Sequence, residues 1–492
     1  MKEKVVIGLL PTGVPGLDEV LGGGIPEYSF NLIVGSPGVG KTSLAHQMMF
    51  ALASAERRAL FFTVLGEPPL KMLRYQQQYS FFDFSKVDEA IRYVNLVDDI
   101  AEGDFDRVLA TIAEEVERFE PRYVFVDSFW TVAQADTVTG ELASRFQVFV
   151  QKLGMYLTNW HATTFLMGEF QHGVAQVNPV FTVADGVLSL SQNETHDSVV
   201  RKLRVTKLRG QAPAPGLHTF RIDGDGVKVF PRSIVRGLAS LRGDAATAPD
   251  TPDRLSLGVP ELDEMLGGGL PAGYSLLVAG PSGSGKTVLA AGFLAEGARR
   301  GEKSVVAAFE TSQSHAARSV LAQLIAQGHV DVIDTRRLDL SIDELLHGLA
   351  EKVRLGATRV VIDSLSGLEL ALAPTFRDDF REAMHRMVAV LTGMGATVLM
   401  ICELEDRYTE LRFSPYGTAF LTDAIVVQRY VEWHGVIERV MAVVKVRASR
   451  HSKELRLYEV NEGGIIVHNS RPELEALLTG HPRTGTAREG SQ

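Results

Sequence analysis

Cysteine occurs once in the 492 residues, at Cys402. One thiol excludes an intrachain disulfide framework and any cysteine-rich zinc module. Its neighbours, VLMICELE, read as the end of a buried strand in which the thiol is a small core hydrophobe. Long apolar runs are also missing. No stretch of about 18 or more uncharged apolar residues occurs, so no membrane span is expected. The N-terminal MKEKVVIGLLPTG has basic residues, but its apolar run VVIGLL is too short for a signal-peptide core and reads as a first strand. Positive charge is in deficit: 50 Lys and Arg face 60 Asp and Glu, and the net charge of −10 repels nucleic acid on average. Low-complexity tracts are absent before the C-terminus. What remains, 45% hydrophobic and 22% charged, is a soluble globular composition, too long for one core and comfortable for two domains.

What is present is a repeat. GSPGVGKT from Gly35 to Thr42 and GPSGSGKT from Gly280 to Thr287 both fit the phosphate-binding pattern G-x-x-x-x-G-K-[ST]. The repeat is wider than these loops, because TGVPGLDEVLGGGIP from Thr12 is echoed by LGVPELDEMLGGGLP from Leu257. One interval of 245 residues separates Gly13 from Gly258, Asp18 from Asp263, Pro26 from Pro271 and Lys41 from Lys286. That interval is a duplicated domain, far longer than the roughly 20–50 residues of a solenoid repeat.

Each half follows one plan. An apolar strand (FNLIVG; SLLVAG) enters the glycine loop, and a helix leaves it (TSLAHQMMFALASAE; TVLAAGFLAEGARR). A second strand follows, then variable sequence, then a strand ending in aspartate: YVFVDS with Asp127 and RVVIDS with Asp363. A further strand comes next (TTFLMGE; TVLMICE). Alternating strands and helices imply an α/β fold with a mostly parallel sheet covered on both faces. The late segments GVLSLSQ, VRKLRVTKLRG and HTFRIDGDGVKVF look antiparallel and extend the sheet, with a hairpin turn at Asp223 to Gly226. The expected layout is a first domain at 1–240, a linker at 241–254 that is poor in large apolar residues, a second domain at 255–470, and a disordered tail at 471–492.

A triphosphate must be held by many donors at once without steric obstruction. Gly35, Gly38 and Gly40 let the backbone curl, with Ser36, Pro37 and Val39 between them, so that N–H groups face the phosphates and the next helix offers its positive end. Lys41 should reach the β and γ phosphates, and the Thr42 hydroxyl should ligate Mg²⁺. In the second loop Gly280, Pro281, Ser282, Gly283, Ser284, Gly285, Lys286 and Thr287 repeat these roles. Asp127, after four apolar residues, and Asp363, after three, are the expected carboxylates for the metal.

Hydrolysis further needs a group that orients or deprotonates water. The expected position is the end of the strand after the loop helix. That is Glu310 in the second half, 24 residues beyond Lys286, where the first half has Leu65. The nearest carboxylate there is Glu67, displaced by roughly 6–7 Å if the chain is extended. The second site is therefore expected to be the better hydrolase. Late in each half sits a Lys-x-Arg pair, Lys207 with Arg209 and Lys445 with Arg447, 166 residues after Lys41 and 159 after Lys286. Residues two apart on a strand face one way, so both cations can converge on one target. They read either as solvated strand charges or as sensors of a neighbouring subunit's γ-phosphate, in the manner of an arginine finger.

Taken together, the duplicated GVPxLDExLGGGxP lead-in, the two phosphate loops, the strand-end aspartates and the KLRG and KVRA stretches resemble the KaiC family of RecA-like ATPases, over nearly the whole chain to about residue 470. The resemblance implies two tandem RecA-like domains that stack as a two-tiered homo-oligomeric ring, usually a hexamer; the cytoplasm, where the ATP is, is the compartment expected of a chain with one cysteine. ATP and Mg²⁺ would lie at subunit interfaces, with the Lys-x-Arg pair supplied by the neighbour. It also implies slow ATP hydrolysis and, in some members, autophosphorylation of the second domain. Two departures stand out. Clock members of the family carry paired glutamates after the second strand, where this chain has Leu65-Gly66 and Glu310-Thr311. They also carry an adjacent Ser-Thr phosphorylation pair before a Thr-Asp; counted back from Thr422-Asp423, those places hold Ala419 and Phe420, which accept no phosphate.

The leading expectation is an oligomeric ATPase that acts as a signalling or conformational switch, with signalling partners that the sequence does not identify. The alternatives are a Ser/Thr autokinase using Thr418 or Thr422, a DNA-dependent RecA-like motor, and a scaffold in which nucleotide only glues the ring. The acidic balance and the lack of a zinc module or helix-hairpin-helix leader stand against the motor.

Overall fold

The computed structural model describes residues 7–63, 69–96, 105–127, 141–169, 180–195, 198–232, 253–309, 315–333, 335, 340–377, 379–404, 422–433, 435–461, 463–468, 474–475 and 483–484. Its contacts divide the chain into two compact units, 1–233 and 234–492. Each contains a nine-stranded sheet.

In the first unit the sheet strands are β1 (Phe30–Val34), β2 (Ala59–Thr63), β3 (Ile91–Asn95), β4 (Tyr123–Asp127), β5 (Thr163–Gly168), β6 (Gly186–Thr195), β7 (Ser198–Leu208), β8 (His218–Asp223) and β9 (Gly226–Phe230). Their order across the sheet is β9-β8-β7-β6-β1-β5-β4-β2-β3. In the second they are β10 (Ser275–Gly280), β11 (Lys303–Ala308), β12 (Val330–Ile333), β13 (Ala357–Asp363), β14 (Thr397–Glu403), β15 (Ala424–Trp433), β16 (Val436–Val446), β17 (Leu455–Asn461) and β18 (Gly464–Val467). The order, β18-β17-β16-β15-β10-β14-β13-β11-β12, is the same. Six neighbouring strands on one side of each sheet are parallel and the remaining three are antiparallel, which is the architecture of two tandem RecA-like α/β domains.

One expectation needs refining. GVLSLSQ, grouped by sequence with the antiparallel extension, forms β6, which lies parallel to β1 and antiparallel only to β7. It is the hinge between the two parts of the sheet. A bulge after Val187 in β6 recurs after Ile425 in β15. DGDG is the expected turn, closing the β8–β9 hairpin at Asp223 and Gly226.

Alternation along the strands assigns the two faces. In the first unit Ile33, Phe61, Phe125 and Phe165 point toward the helix Lys41–Leu52, which follows the glycine loop. Leu32, Phe62, Val124 and Leu166 point the other way, onto the helices Phe105–Phe119 and Glu141–Asn159. A strand buried on both faces is apolar at most positions, which is why FNLIV and ALFFT show no polar alternation. The second unit divides likewise. Leu276, Val278, Val306 and Val361 meet the helix Lys286–Arg299, and Leu277, Val305, Val360 and Ile362 meet Ile342–Arg354 and Phe380–Gly393.

The repeated lead-in is explained by its hydrogen bonds. Asp18 Oδ1 accepts from Thr12 N at 2.9 Å and from Thr12 Oγ1 at 2.7 Å; Asp263 Oδ1 accepts from Leu257 N at 2.8 Å. The three glycines that follow adopt positive φ in both copies, and a Cβ on Gly24 or Gly269 would collide with the carbonyl of Leu10 or Leu255. The motif is a tight clasp at the start of each domain. The described part of the expected first strand is Leu9–Leu10, paired with Ile25–Pro26. Among the described residues, no helix is long and apolar enough to cross a membrane. Cys402 is fully buried in β14, and burial pushes its thiol up to about 12, so it stays an inert core group.

Candidate functional site

In the first unit β1 ends at Val34, the glycine loop turns back, and the loop helix begins at Lys41. Gly38 and Gly40 take φ of 73° and 113°, and Gly40 caps the helix in the left-handed region, where a side chain would be strained. The turn brings the Lys41 ammonium back over its own loop, 3.0 Å from Gly35 O and 2.9 Å from Ser36 O. Lys41 is 7% exposed, and burial pulls its pKa below the ordinary lysine value, opposed first by Glu169 and then by Asp127. Thr42 Oγ1 donates to Asp127 Oδ2 at 2.7 Å. Asp127 is the last residue of β4, two strands from β1, so parallel strand order brings hydroxyl and carboxylate together across 85 residues of sequence. These groups line a cavity of about 530 Å³.

The second unit repeats the turn. Gly283 and Gly285 take φ of 77° and 98°, and Lys286 Nζ donates to Pro281 O at 2.7 Å. Thr287 and Asp363 line the same cavity, which is smaller, about 160 Å³. Two tyrosines brace this loop: Tyr458 Oη donates to Ser284 O at 2.5 Å and Tyr430 Oη to Ser282 O at 3.3 Å. Ser284 Oγ also reaches Gln428 Oε1 at 3.0 Å.

The Lys-x-Arg pairs lie elsewhere. Lys207 sits opposite Val187, which is level with Leu32 of β1, and Arg209 N bonds Asp185 O beside the start of that strand. The glycine loop leaves the other end of β1. Lys207 Nζ and Arg209 Nη2 converge on Thr182 O at 3.1 and 3.4 Å, while Arg209 Nη1 pairs with Asp185 at 3.0 Å. Lys445 Nζ donates to Thr422 O at 2.6 Å, and Arg447 Nη1 pairs with Asp423 at 3.1 Å. Both lysines are held below the usual value, by burial first and the adjacent arginine second. The arginines remain more than half exposed. Among the described residues, neither pair lines its own unit's cavity.

Glu67, Glu310, Ala419, Phe420 and Thr418 lie outside the described residues. Thr422 is described and fully buried. Sequence reasoning missed several lining groups. Arg201 in β7 reaches the first cavity together with Met72, Tyr79 and Ile222. Its counterpart Arg439 in β16 lies over the Tyr430 ring, 5.6 Å from the centroid. The signal was present: an arginine stands six residues before the lysine in both repeats. Glu169 and Glu403, at the ends of β5 and β14, also line the two cavities. Among the described residues no cluster of three or more His, Cys, Asp or Glu side chains gathers to hold a metal. The oxygen pair Thr42–Asp127 suits Mg²⁺, which takes one or two protein ligands and completes its shell with phosphate and water.

A strand–glycine loop–helix unit with Lys, Thr and a strand-end Asp, built twice on RecA-like sheets, defines a P-loop ATPase. The family model for the KaiC ATPase matches residues 10–234 and 255–471, and the chain belongs to that family. It is similar to the circadian clock oscillator protein KaiC of Picosynechococcus sp., 26% identical over 494 residues that cover 96% of this chain and 92% of that protein. It is 26% identical to the KaiC of Rippkaea orientalis, covering 98% and 92%. To the circadian clock oscillator protein KaiC 1 of Synechocystis sp. it is 25% identical, covering 98% and 93%.

Proposed function

We propose that the chain is a Mg²⁺-dependent ATPase that works as a cytoplasmic homo-oligomeric ring, six subunits round, with one tier formed by residues 1–240 and the other by 255–470, joined by a linker at 241–254 and followed by a tail at 471–492. Each tier binds ATP in its phosphate loop. Backbone N–H groups of the glycine turn and the helix N-terminus hold the phosphates, and Lys41 or Lys286 turns from its own loop carbonyls to the β and γ oxygens. Thr42 with Asp127, and Thr287 with Asp363, hold Mg²⁺, which when bound neutralises charge on the β and γ oxygens. Glu310 orients water in the second tier.

One observation carries the ring. Each Lys-x-Arg pair lies at the end of the sheet opposite its own glycine loop, so the phosphate it can serve belongs to another subunit. Both arginines are exposed and loosely paired, with surface ion pairs worth at most about 1 kcal/mol, so they can exchange partners for a phosphate. Binding and hydrolysis would then bias packing between subunits, which makes the ring a conformational switch. Autokinase activity at Ala419 and Phe420 is not part of this reading, and the buried Thr422 offers no exposed acceptor. The acidic balance argues against nucleic acid as a partner.

The test is native mass determination with Mg²⁺ and a non-hydrolysable ATP analogue. The expected result is a hexamer with nucleotide bound, weakened in the Arg209→Ala protein. A monomer that binds nucleotide overturns the ring.

A further inference from the structure

The parallel strand beside each phosphate-loop strand leads to a glutamate that the reading above leaves without a role. Glu169 follows β5 directly, and Glu403 is the last residue of β14. Strand pairing fixes where Glu169 emerges. Gly35 N, at the first residue of the glycine turn, donates to Gly168 O at 3.2 Å, so Glu169 stands beside the turn itself. Its Oε1 is 4.0 Å from Lys41 Nζ, the atom that marks the γ-phosphate end of the site, and its side chain is 29% exposed. Two anions repel at such short range, so a carboxylate here meets a γ-phosphate through an intervening water, whose proton it accepts.

Nothing else described in the first cavity can take that place. Among the described residues, Asp127 and Glu169 are the carboxylates that line it. Asp127 is engaged with the Thr42 hydroxyl on the metal side. Where the second repeat has Glu310, the first has Leu65.

We infer that Glu169 holds the attacking water of the first site, replacing the carboxylate that Leu65 lacks; this rests on the ATPase reading of that site. The water oxygen forms a bond to the γ-phosphorus while the bond from that phosphorus to the β,γ-bridging oxygen breaks. The bridging oxygen keeps the electron pair and leaves with ADP. Glu169 takes one proton from the water and returns it to solvent, so ATP and water become ADP, inorganic phosphate and one proton.

The experiment uses the full chain carrying Lys286→Ala, which silences the second site. Glu169→Gln, Glu169→Asp and Glu67→Gln are added singly to that parent. Turnover at saturating Mg-ATP and affinity for a fluorescent non-hydrolysable ATP analogue are measured. Glu169→Gln should lower kcat on the order of 10²-fold while affinity stays within about twofold, Glu169→Asp should recover part of the loss, and Glu67→Gln should stay within about threefold of the parent. A glutamate that merely neutralises Lys41 would change affinity and spare kcat, and that outcome overturns the inference. So does a loss that follows Glu67→Gln instead, or a Lys286→Ala parent that binds the analogue and never turns over. A parent that fails to bind the analogue at all strikes the nucleotide-binding reading of the first site, and the inference falls with it.

Discussion

The two repeats share strand order, the bulge, the glycine turn and the cation pairs, yet their cavities measure about 530 and 160 Å³. Equivalent positions show why. Tyr430 and Tyr458 brace the second loop through their hydroxyls, where the first repeat has Gln192 and Phe220. In the first repeat Arg201, Tyr79 and Met72 face the cavity, whereas Ile401 and Val460 help to line the second. Behind the loop helix the first core is aromatic. His46 lies 4.4 Å from Phe61 between centroids, and Phe125 stacks on Phe165 at 4.8 Å. The second core has Ala291, Val306, Val361 and Leu399 in these places. Phosphate-holding backbone is thus common to both, while the surroundings that tune each site have diverged.

The largest expected effect sharpens that contrast. Lys286→Ala should remove the greater share of steady-state phosphate release, with Lys41→Ala removing less; losing a cation that meets the developing charge costs on the order of 10²–10³-fold at its own site. The reverse ranking breaks the comparison. Next comes the core. Phe125→Ala should destabilise the first unit by about 3–5 kcal/mol, because the ring is fully buried between two others. Val361→Ala, its counterpart, should cost the second unit about 2 kcal/mol. Urea midpoints of the two units read both, and equal losses would mean the aromatic face adds nothing.

The last effect is a pH dependence that His46 gives the first unit and that the second, with Ala291 in its place, lacks. His46 Nδ1 bonds Thr42 O at 2.8 Å, and burial depresses the ring to about 4 from an ordinary 6.5. Between those values the unfolded chain binds a proton that the folded one refuses. The His46 contribution to stability therefore falls as pH drops from 6.5 toward 4, by up to about 3 kcal/mol, and that contribution changes no further below. His46→Ala, which copies Ala291, should flatten the urea midpoint of the first unit across that window. An unchanged slope would mean that His46 does not carry it.

Much of the fold was legible in the residues. The glycine loops, their entering strands and leaving helices, and the strands ending at Asp127 and Asp363 follow from local pattern, because a strand buried on both faces is apolar at most positions and a phosphate turn must be glycine-rich. β6 was harder. GVLSLSQ alternates like an antiparallel strand, and its partner on one side, β1, lies over 150 residues away. Glu169 was illegible as a cavity residue for the same reason: nothing local distinguishes a charge at a strand end that meets solvent from one that meets Lys41. Arg201 left only the trace of an arginine six residues before the lysine in each repeat.

By itself, the amino-acid sequence determined the duplication, the two α/β domains, the loop chemistry and the family, since each rests on short-range backbone requirements repeated at a fixed interval. Tertiary structure alone decided which distant side chains surround each loop. It brought Thr42 to Asp127 and Glu169 to Lys41, and it set Lys207 and Arg209 at the far end of the sheet from their own phosphate loop. Strand order does this: parallel neighbours present their ends side by side whatever their separation in sequence, and no local pattern encodes which strand lies next to which.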